Sequence, residues 1–176
     1  MDGTTALMKE HALSPDRVES LTVIGSRPEF EYLRGHNPKD VAESRFSIEF
    51  GTAAALAFGQ VTLAHVCQET LSNPDYLKAF AKVRVETYEP DNIVSGGTNY
   101  PPVKLRLATA DGEVLSRTIN YARGWPEQPL SCVEVDEKFL SCVSPRLGGE
   151  RAGRLLSAIR SLPSLDSTLG IIEQCG

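Results

Sequence analysis

Alternating apolar and polar residues predict β-strands in the middle of the chain. Residues 83–88 and 103–108 place apolar and polar side chains at a period of two, which is typical of antiparallel strands with one wet face. Asp111-Gly112 supplies two residues suited to the positive φ angles of a type I′ turn, so residues 113–121 are expected to pair back on the preceding strand. The β-branched segment 18–24 predicts one more strand, nearer the N-terminus.

Helices are predicted before and between these strands. A short helix is expected over residues 4–13. Residues 47–58 are apolar and alanine-rich, with Ser47 as the N-cap and Gly59 just after the predicted end. Asn73-Pro74 opens a further helix, because asparagine caps well and proline is tolerated in the first turn. Residues 25–40, with their prolines, are expected to form a loop.

The C-terminal third is predicted to be helical. Ser131 and Glu134 have the spacing of a capping box, and apolar residues repeat at helical spacing after them. Two shorter helices are expected over residues 152–159 and 165–172. With strands in the middle and helices at both ends, we expect an α+β fold: an antiparallel sheet of about four strands, helices packed on one face, and C-terminal helices.

Length and composition fit one intracellular domain, spanning residues 1–176. The 18 basic and 23 acidic residues give a net charge of −5 without a basic stretch that could follow a phosphate backbone, so we expect no nucleic-acid partner. No apolar run approaches the roughly 20 residues that cross a bilayer, so we expect no membrane association and a cytoplasmic location. The four cysteines lie far apart, which indicates reduced, buried thiols rather than a metal site or a disulfide framework.

Five short motifs carry a resemblance to a known family. They are Asp16-Arg17-Val18-Glu19-Ser20, Glu43-Ser44-Arg45-Phe46-Ser47, Ala110-Asp111-Gly112, Gly124-Trp125-Pro126-Glu127-Gln128-Pro129-Leu130-Ser131 and Glu137-Lys138-Phe139. In this order they resemble the C-terminal part of the MmgE/PrpD family, over about residues 4–174. Trp125 departs from the family pattern, which commonly has histidine there, and this argues against a polar role for the position.

The resemblance implies an enzyme lineage. MmgE/PrpD enzymes are dehydratases, decarboxylases and epimerases of small di- and tricarboxylates, and they move a proton next to a carboxylate without a metal or organic cofactor. Their site lies between a large helical domain, which supplies acid and base residues, and the part that this chain resembles. This sequence has no counterpart of the helical domain. The resemblance therefore implies a small-molecule carboxylate substrate, no cofactor, and one wall of an active site.

The same comparison points to Tyr32 on that wall, and the chemistry of three further residues suits the same site. Tyr32 matches a catalytic tyrosine of the family when the alignment is shifted by two residues, and its hydroxyl would donate to an enolate or protonate a carbanion. His36 is the second catalytic candidate, since imidazole titrates near neutral pH. Arg34 and Arg45 are substrate-binding candidates, because a guanidinium forks onto a carboxylate. The alternatives are an aromatic residue with its hydroxyl in water, a surface histidine, a solvated Arg34, and an Arg45 that fixes the start of the next helix.

Three functions are compatible with these observations. The chain is one half of a split dehydratase, decarboxylase or isomerase with a helical partner chain, or a stand-alone enzyme with a new pocket, or a non-catalytic binding or assembly protein such as a homodimer. The first and third predict an exposed apolar face on the last helices, whereas the second predicts an enclosed polar cavity. That apolar face would hold Leu155, Ile159, Leu169 and Ile172. We favour the lyase or isomerase lineage, acting alone or with a partner.

Overall fold

The computed structural model describes residues 1–33, 37–90, 101–164 and 167–175, which form one four-stranded sheet and a set of helices. The strands are β1 (Val18–Ser26), β2 (Val83–Tyr88), β3 (Val103–Thr109) and β4 (Val114–Ile119). The helices are α1 (Asp2–Glu10), α2 (Arg27–Phe30), α3 (Val41–Ser44), α4 (Ile48–Phe58), α5 (Gln68–Leu71), α6 (Pro74–Lys82), α7 (Cys132–Leu147), α8 (Gly149–Arg160) and α9 (Leu169–Cys175). None of these described helices has the combined length and apolar character needed to cross a bilayer.

The sheet confirms the α+β class and the expected four strands, in the order β2-β1-β3-β4. The pairs β1/β3 and β3/β4 are antiparallel, but β1/β2 is parallel, so the sheet is mixed rather than purely antiparallel. The connection between β1 and β2 holds α2 to α6, which is long enough to return the chain to the end of the sheet where β1 begins. Alternation of apolar and polar residues within a strand indicates a half-buried sheet, but it does not show whether the strand runs parallel or antiparallel to its neighbour.

The β3–β4 hairpin is confirmed, although its turn differs from the prediction. Ala108 pairs with Val114, and the Thr109 amide donates to the Glu113 carbonyl at 2.9 Å. Gly112 has a φ of 89°, whereas Asp111 does not have a positive φ. The type I′ prediction was therefore wrong, because the connection is a longer loop with one left-handed residue rather than two.

The predicted helix boundaries follow from caps that the structure confirms. At the start of α4, the Phe50 amide donates to the Ser47 hydroxyl at 3.0 Å, and Gly59 ends the helix with a φ of 74°. Asn73 caps α6 in the same way. Ser131 caps α7, where its side chain and that of Glu134 form the predicted capping box. Local sequence therefore sets these helix ends.

One face of the sheet packs against α4 and α6, and the other face is largely polar. The core on the packed face includes Leu21, Val23, Phe50, Ala53, Leu56, Tyr76, Ala79, Leu105 and Leu107. The polar side chains of β2 and β3 on the opposite face are exposed, namely Arg84, Glu86, Lys104 and Arg106. The predicted wet face is therefore confirmed, and we call it the open face.

By its contacts the chain divides into two compact units, Met1–Arg123 and Gly124–Gly176. The first contains the whole sheet, while the second contains α7, α8 and α9. The α7 helix has no buried residue, and α8 buries Ala152 and Leu155. Cys132 and Cys142 are exposed free thiols, so the expectation of buried cysteines was wrong for these two. The single-domain organisation stays a prediction.

Candidate functional site

Parallel pairing brings the C-terminal ends of β1 and β2 to one edge of the sheet. Ser26 at the end of β1 lies opposite Tyr88 at the end of β2, and Ile24 is opposite Lys104 near the start of β3. We call the edge marked by Ser26, Tyr88 and Lys104 the β1–β2 edge. The segment that carries Tyr32 leaves the sheet at this edge, immediately after β1.

A short helix anchors that segment, where the sequence predicted only a loop. β1 extends to Ser26 and α2 follows directly, with Pro28 in its first turn. Phe30 is only 8 % exposed, and its ring lies directly over Gly25. A Cβ built on Gly25 would lie 2.0 Å from the Phe30 ring, so this close approach requires glycine. Ser26 followed by Pro28 is a helix-start signal that the loop interpretation missed.

Polar contacts connect α2 to both neighbouring strands. The Ser26 hydroxyl donates to Glu29 Oε2 at 2.9 Å, and Arg27 forms an ion pair with Glu89 just beyond β2. These contacts hold Glu29 beside Ser26 and connect the start of α2 to the end of β2. The sheet therefore positions the backbone near Tyr32, whereas these contacts do not hold the Tyr32 side chain.

Tyr88 and Lys104 occupy the same edge. The Tyr88 hydroxyl donates to the Pro102 carbonyl at 2.8 Å, and the Lys104 ammonium lies 6.0 Å from the centroid of the Tyr88 ring. Burial raises the pKa of the Tyr88 phenol above its ordinary value, and the negative charge of Glu29 raises it further. Tyr88 is therefore a neutral hydrogen-bond donor across the physiological pH range.

Tyr32 itself is 84 % exposed, in the turn that follows α2. Within the described part of the chain, its hydroxyl has no hydrogen-bond partner. The geometry leaves the hydroxyl free to reach a ligand, but nothing in these residues encloses it. Arg34 and His36 lie outside the described residues, and the roles of all three stay predictions.

Arg45 lies between α3 and α4 and is exposed. Side chains other than Arg45 fix these helix starts, because Asp40 caps α3 and Ser47 caps α4. Among residues 1–33, 37–90, 101–164 and 167–175, no hydrogen bond or ion pair of Arg45 is found, and no contact joins it to Tyr32. Its substrate-binding role stays a prediction, and the described contacts give no support to the structural alternative.

An open cleft of about 310 Å³ lies at the opposite end of the sheet, where β1 and β2 begin. It is lined by Pro15, Asp16, Ala57, Asp75, Lys78, Ala79 and Lys82. The Lys82 ammonium donates to the Pro15 carbonyl at 2.9 Å, and Lys78 lies 3.6 Å from Asp75. Two lysines balance two aspartates here, so the cleft has no net attraction for an anion. Of the predicted site residues that the structure describes, neither Tyr32 nor Arg45 lines it.

Sequence reasoning did not single out Tyr88 or Lys104. The alternating pattern places both on the wet face, which is the signal that could have found them. The parallel pairing of β2 with β1 brings Tyr88 to the edge from which the Tyr32 segment leaves, and the antiparallel pairing of β3 with β1 brings Lys104 there. Among the described residues, the structure shows no group of three or more histidine, cysteine or acidic side chains arranged to hold a metal ion.

Comparison with known proteins places the chain in a family. The sequence profile of the MmgE/PrpD C-terminal domain matches residues 1–163. Human cis-aconitate decarboxylase is 27 % identical to the chain over 163 residues, which cover 91 % of this chain and 32 % of that protein. The chain thus spans about a third of the length of this relative. Because the profile covers most of its residues, the chain belongs to the MmgE/PrpD family and corresponds to its C-terminal domain.

Proposed function

We propose that the chain forms one wall of a lyase or isomerase that acts on a small carboxylate by cofactor-free proton transfer, with a helical partner forming the other wall. Family membership and the similarity to a decarboxylase support the lyase lineage. The observation that carries the proposal is the exposure of Tyr32, at 84 % on an edge anchored by α2. A hydroxyl that stabilises an enolate needs a site closed to water, so a second surface must cover it.

The C-terminal helices support such a partner. The α7 helix buries no residue, and Leu169 and Ile172 of α9 are 67 % and 63 % exposed. Leu155 is buried and Ile159 is half-buried, so the exposed part of the predicted apolar face is confined to α9. Apolar residues exposed in this way mark contact surfaces.

The chemistry assigns Tyr32 the role of proton donor. In a decarboxylation, the bond between the substrate carbon and its carboxylate breaks, carbon dioxide leaves, and the electron pair stays on that carbon. The Tyr32 hydroxyl gives its proton to this carbanion, a C–H bond forms, and the tyrosinate regains a proton from water. In a dehydration or epimerisation, a base on the partner removes the proton next to a carboxylate, while Tyr32 donates a hydrogen bond to the enolate.

A non-catalytic assembly protein is the second candidate, since a homodimer would also cover Leu169 and Ile172. It predicts a stable dimer and no turnover in the presence of any helical partner. A stand-alone enzyme receives less support, because the residues that the structure describes leave Tyr32 exposed rather than enclosed.

The proposal is tested by reconstitution with a helical MmgE/PrpD chain from the same source. Carbon dioxide release from cis-aconitate, the compound in the name of the human relative, is measured for the chain alone and for the pair. We expect turnover only by the pair, and Tyr32→Phe lowers it about 100-fold or more, the usual contribution of a positioned acid. Tyr121→Phe, at another exposed tyrosine, is the control and leaves turnover unchanged.

Equal turnover by the Tyr32→Phe pair would remove Tyr32 from the mechanism. Turnover by the chain alone would remove the need for a partner.

A further inference from the structure

The open face of the sheet is basic although the protein is acidic. Its exposed charged side chains on β2 and β3 are Arg84, Glu86, Lys104 and Arg106, three cations against one acid. The whole chain, by contrast, has a net charge of −5. This local excess of positive charge favours an anionic ligand.

Two of these cations lie side by side on β3. Lys104 and Arg106 are alternate residues of one strand, so they share a face at a separation of roughly 7 Å. In the register with β4, Thr118 lies opposite Lys104 and Ser116 lies opposite Arg106. Each cation therefore has a hydroxyl-bearing neighbour on the same face, and the spacing suits two carboxylates of one small molecule.

Lys104 and Arg106 have donors to spare for a ligand, whereas the Nη1 group of Arg84 is occupied by backbone carbonyls. Arg84 Nη1 donates to the carbonyls of Ala81 and Val83, both at 2.8 Å. Lys104 has no acidic partner among the described residues. Arg106 bonds Glu86 through Nη2 at 3.1 Å, which leaves other N–H groups of its guanidinium for a ligand.

We propose that Lys104 and Arg106 form a binding site for a small di- or tricarboxylate on the open face, next to the β1–β2 edge. This inference rests on the proposed function, since it names the residues that hold the substrate carboxylates. Lys104 binds one carboxylate beside Thr118, and Arg106 binds the next beside Ser116.

The test is a titration of the ¹⁵N-labelled full chain with tricarballylate, an unreactive tricarboxylate, followed by NMR. Sodium chloride at equal ionic strength is the reference, because exposed charges respond to salt. We expect saturable shifts of amides in β3 and β4. Lys104→Gln and Arg106→Gln should each weaken binding about five-fold, the upper range for an exposed ion pair. Lys78→Gln, at an exposed lysine of the opposite cleft, is the control and changes the affinity less than two-fold.

Three results would overturn the inference: the same shifts with sodium chloride, shifts in the cleft around Lys78, or unchanged affinity in Lys104→Gln. The titration needs no turnover, so its outcome is separate from that of the proposed function. Binding at Lys104 without activity in any reconstituted pair would reject only the proposed enzyme activity. Activity that is lost in Tyr32→Phe, with unchanged tricarballylate affinity in Lys104→Gln, would reject the carboxylate site alone.

Discussion

At the scale of single residues, Gly25 determines how closely the Tyr32 segment lies against the sheet. The Phe30 ring occupies the space that a side chain at position 25 would need. We predict that Gly25→Ala lowers the free energy of unfolding by about 1–3 kcal/mol, the usual cost of overpacking a core. Urea unfolding measures this change. In a Phe30→Leu background the same substitution should cost less, and equal costs in both backgrounds would show that the ring is not the obstacle.

Tyr76 gives the fold a dependence on alkaline pH. It is 2 % exposed between Phe50 and Phe80, and burial, with the charge of Glu49, raises its pKa to about 12. The unfolded chain loses this proton near pH 10, so stability should fall as pH rises from about 10 to 12. Urea unfolding across this range should show a smaller fall for Tyr76→Phe. Tyr121→Phe is the control. If stability falls with pH as steeply in Tyr76→Phe as in the unsubstituted chain, Tyr76 is not the cause of this pH dependence.

At the scale of elements, the stability of α7 depends on the capping contacts at its ends, because none of its residues is buried. The Glu134 amide donates to the Ser131 hydroxyl at 3.2 Å, and the Glu134 carboxylate accepts from the Ser131 amide at 2.7 Å. We predict that Ser131→Ala destabilises α7 by about 1 kcal/mol, the typical cost of losing an N-cap. Hydrogen exchange of the α7 amides should become about five-fold faster, as that free energy requires.

Ser141→Ala is the matched control for this helix. Ser141 lies within α7, is exposed, and donates only to the Lys138 carbonyl. Alanine is a better helix former than serine, so exchange should stay the same or become slower. Equal acceleration in the two variants would mean that the capping box makes no special contribution.

At the scale of the whole molecule, the two units differ in how much they bury. The core of the sheet unit includes residues from all four strands and from α1, α4 and α6, whereas α7 to α9 bury two side chains among the described residues, Ala152 and Leu155. We predict that a fragment of residues 1–123 unfolds cooperatively, because it keeps that core. Residues 124–176 alone should show little helix, since short helices need tertiary packing.

Circular dichroism of both fragments during thermal unfolding measures this difference. Failure of residues 1–123 to unfold cooperatively would mean that the sheet unit needs the C-terminal helices, as the single-domain expectation implies.

The sequence by itself determined the features that depend on near neighbours. Ser47, Asn73 and Ser131 mark helix starts because a capping side chain bonds an amide two or three residues away. Alternation in β2 and β3 showed which residues face solvent, because side chains point to opposite faces at every second position. The five motifs likewise predicted the family that the profile match then established.

Only the tertiary structure decided which of these local features meet. The parallel pairing of β1 with β2 brings Tyr88 to the edge where Ser26 leads into α2. The Phe30 ring packs over Gly25, a contact that no pattern along the chain predicts. The register of β3 with β4 sets Lys104 beside Thr118. Strand order and register depend on contacts between distant residues, and the hydrophobic pattern along the chain is the same for either direction of β2. The sequence alone thus determined local caps, strand faces and the family, whereas the fold decided which side chains share an edge.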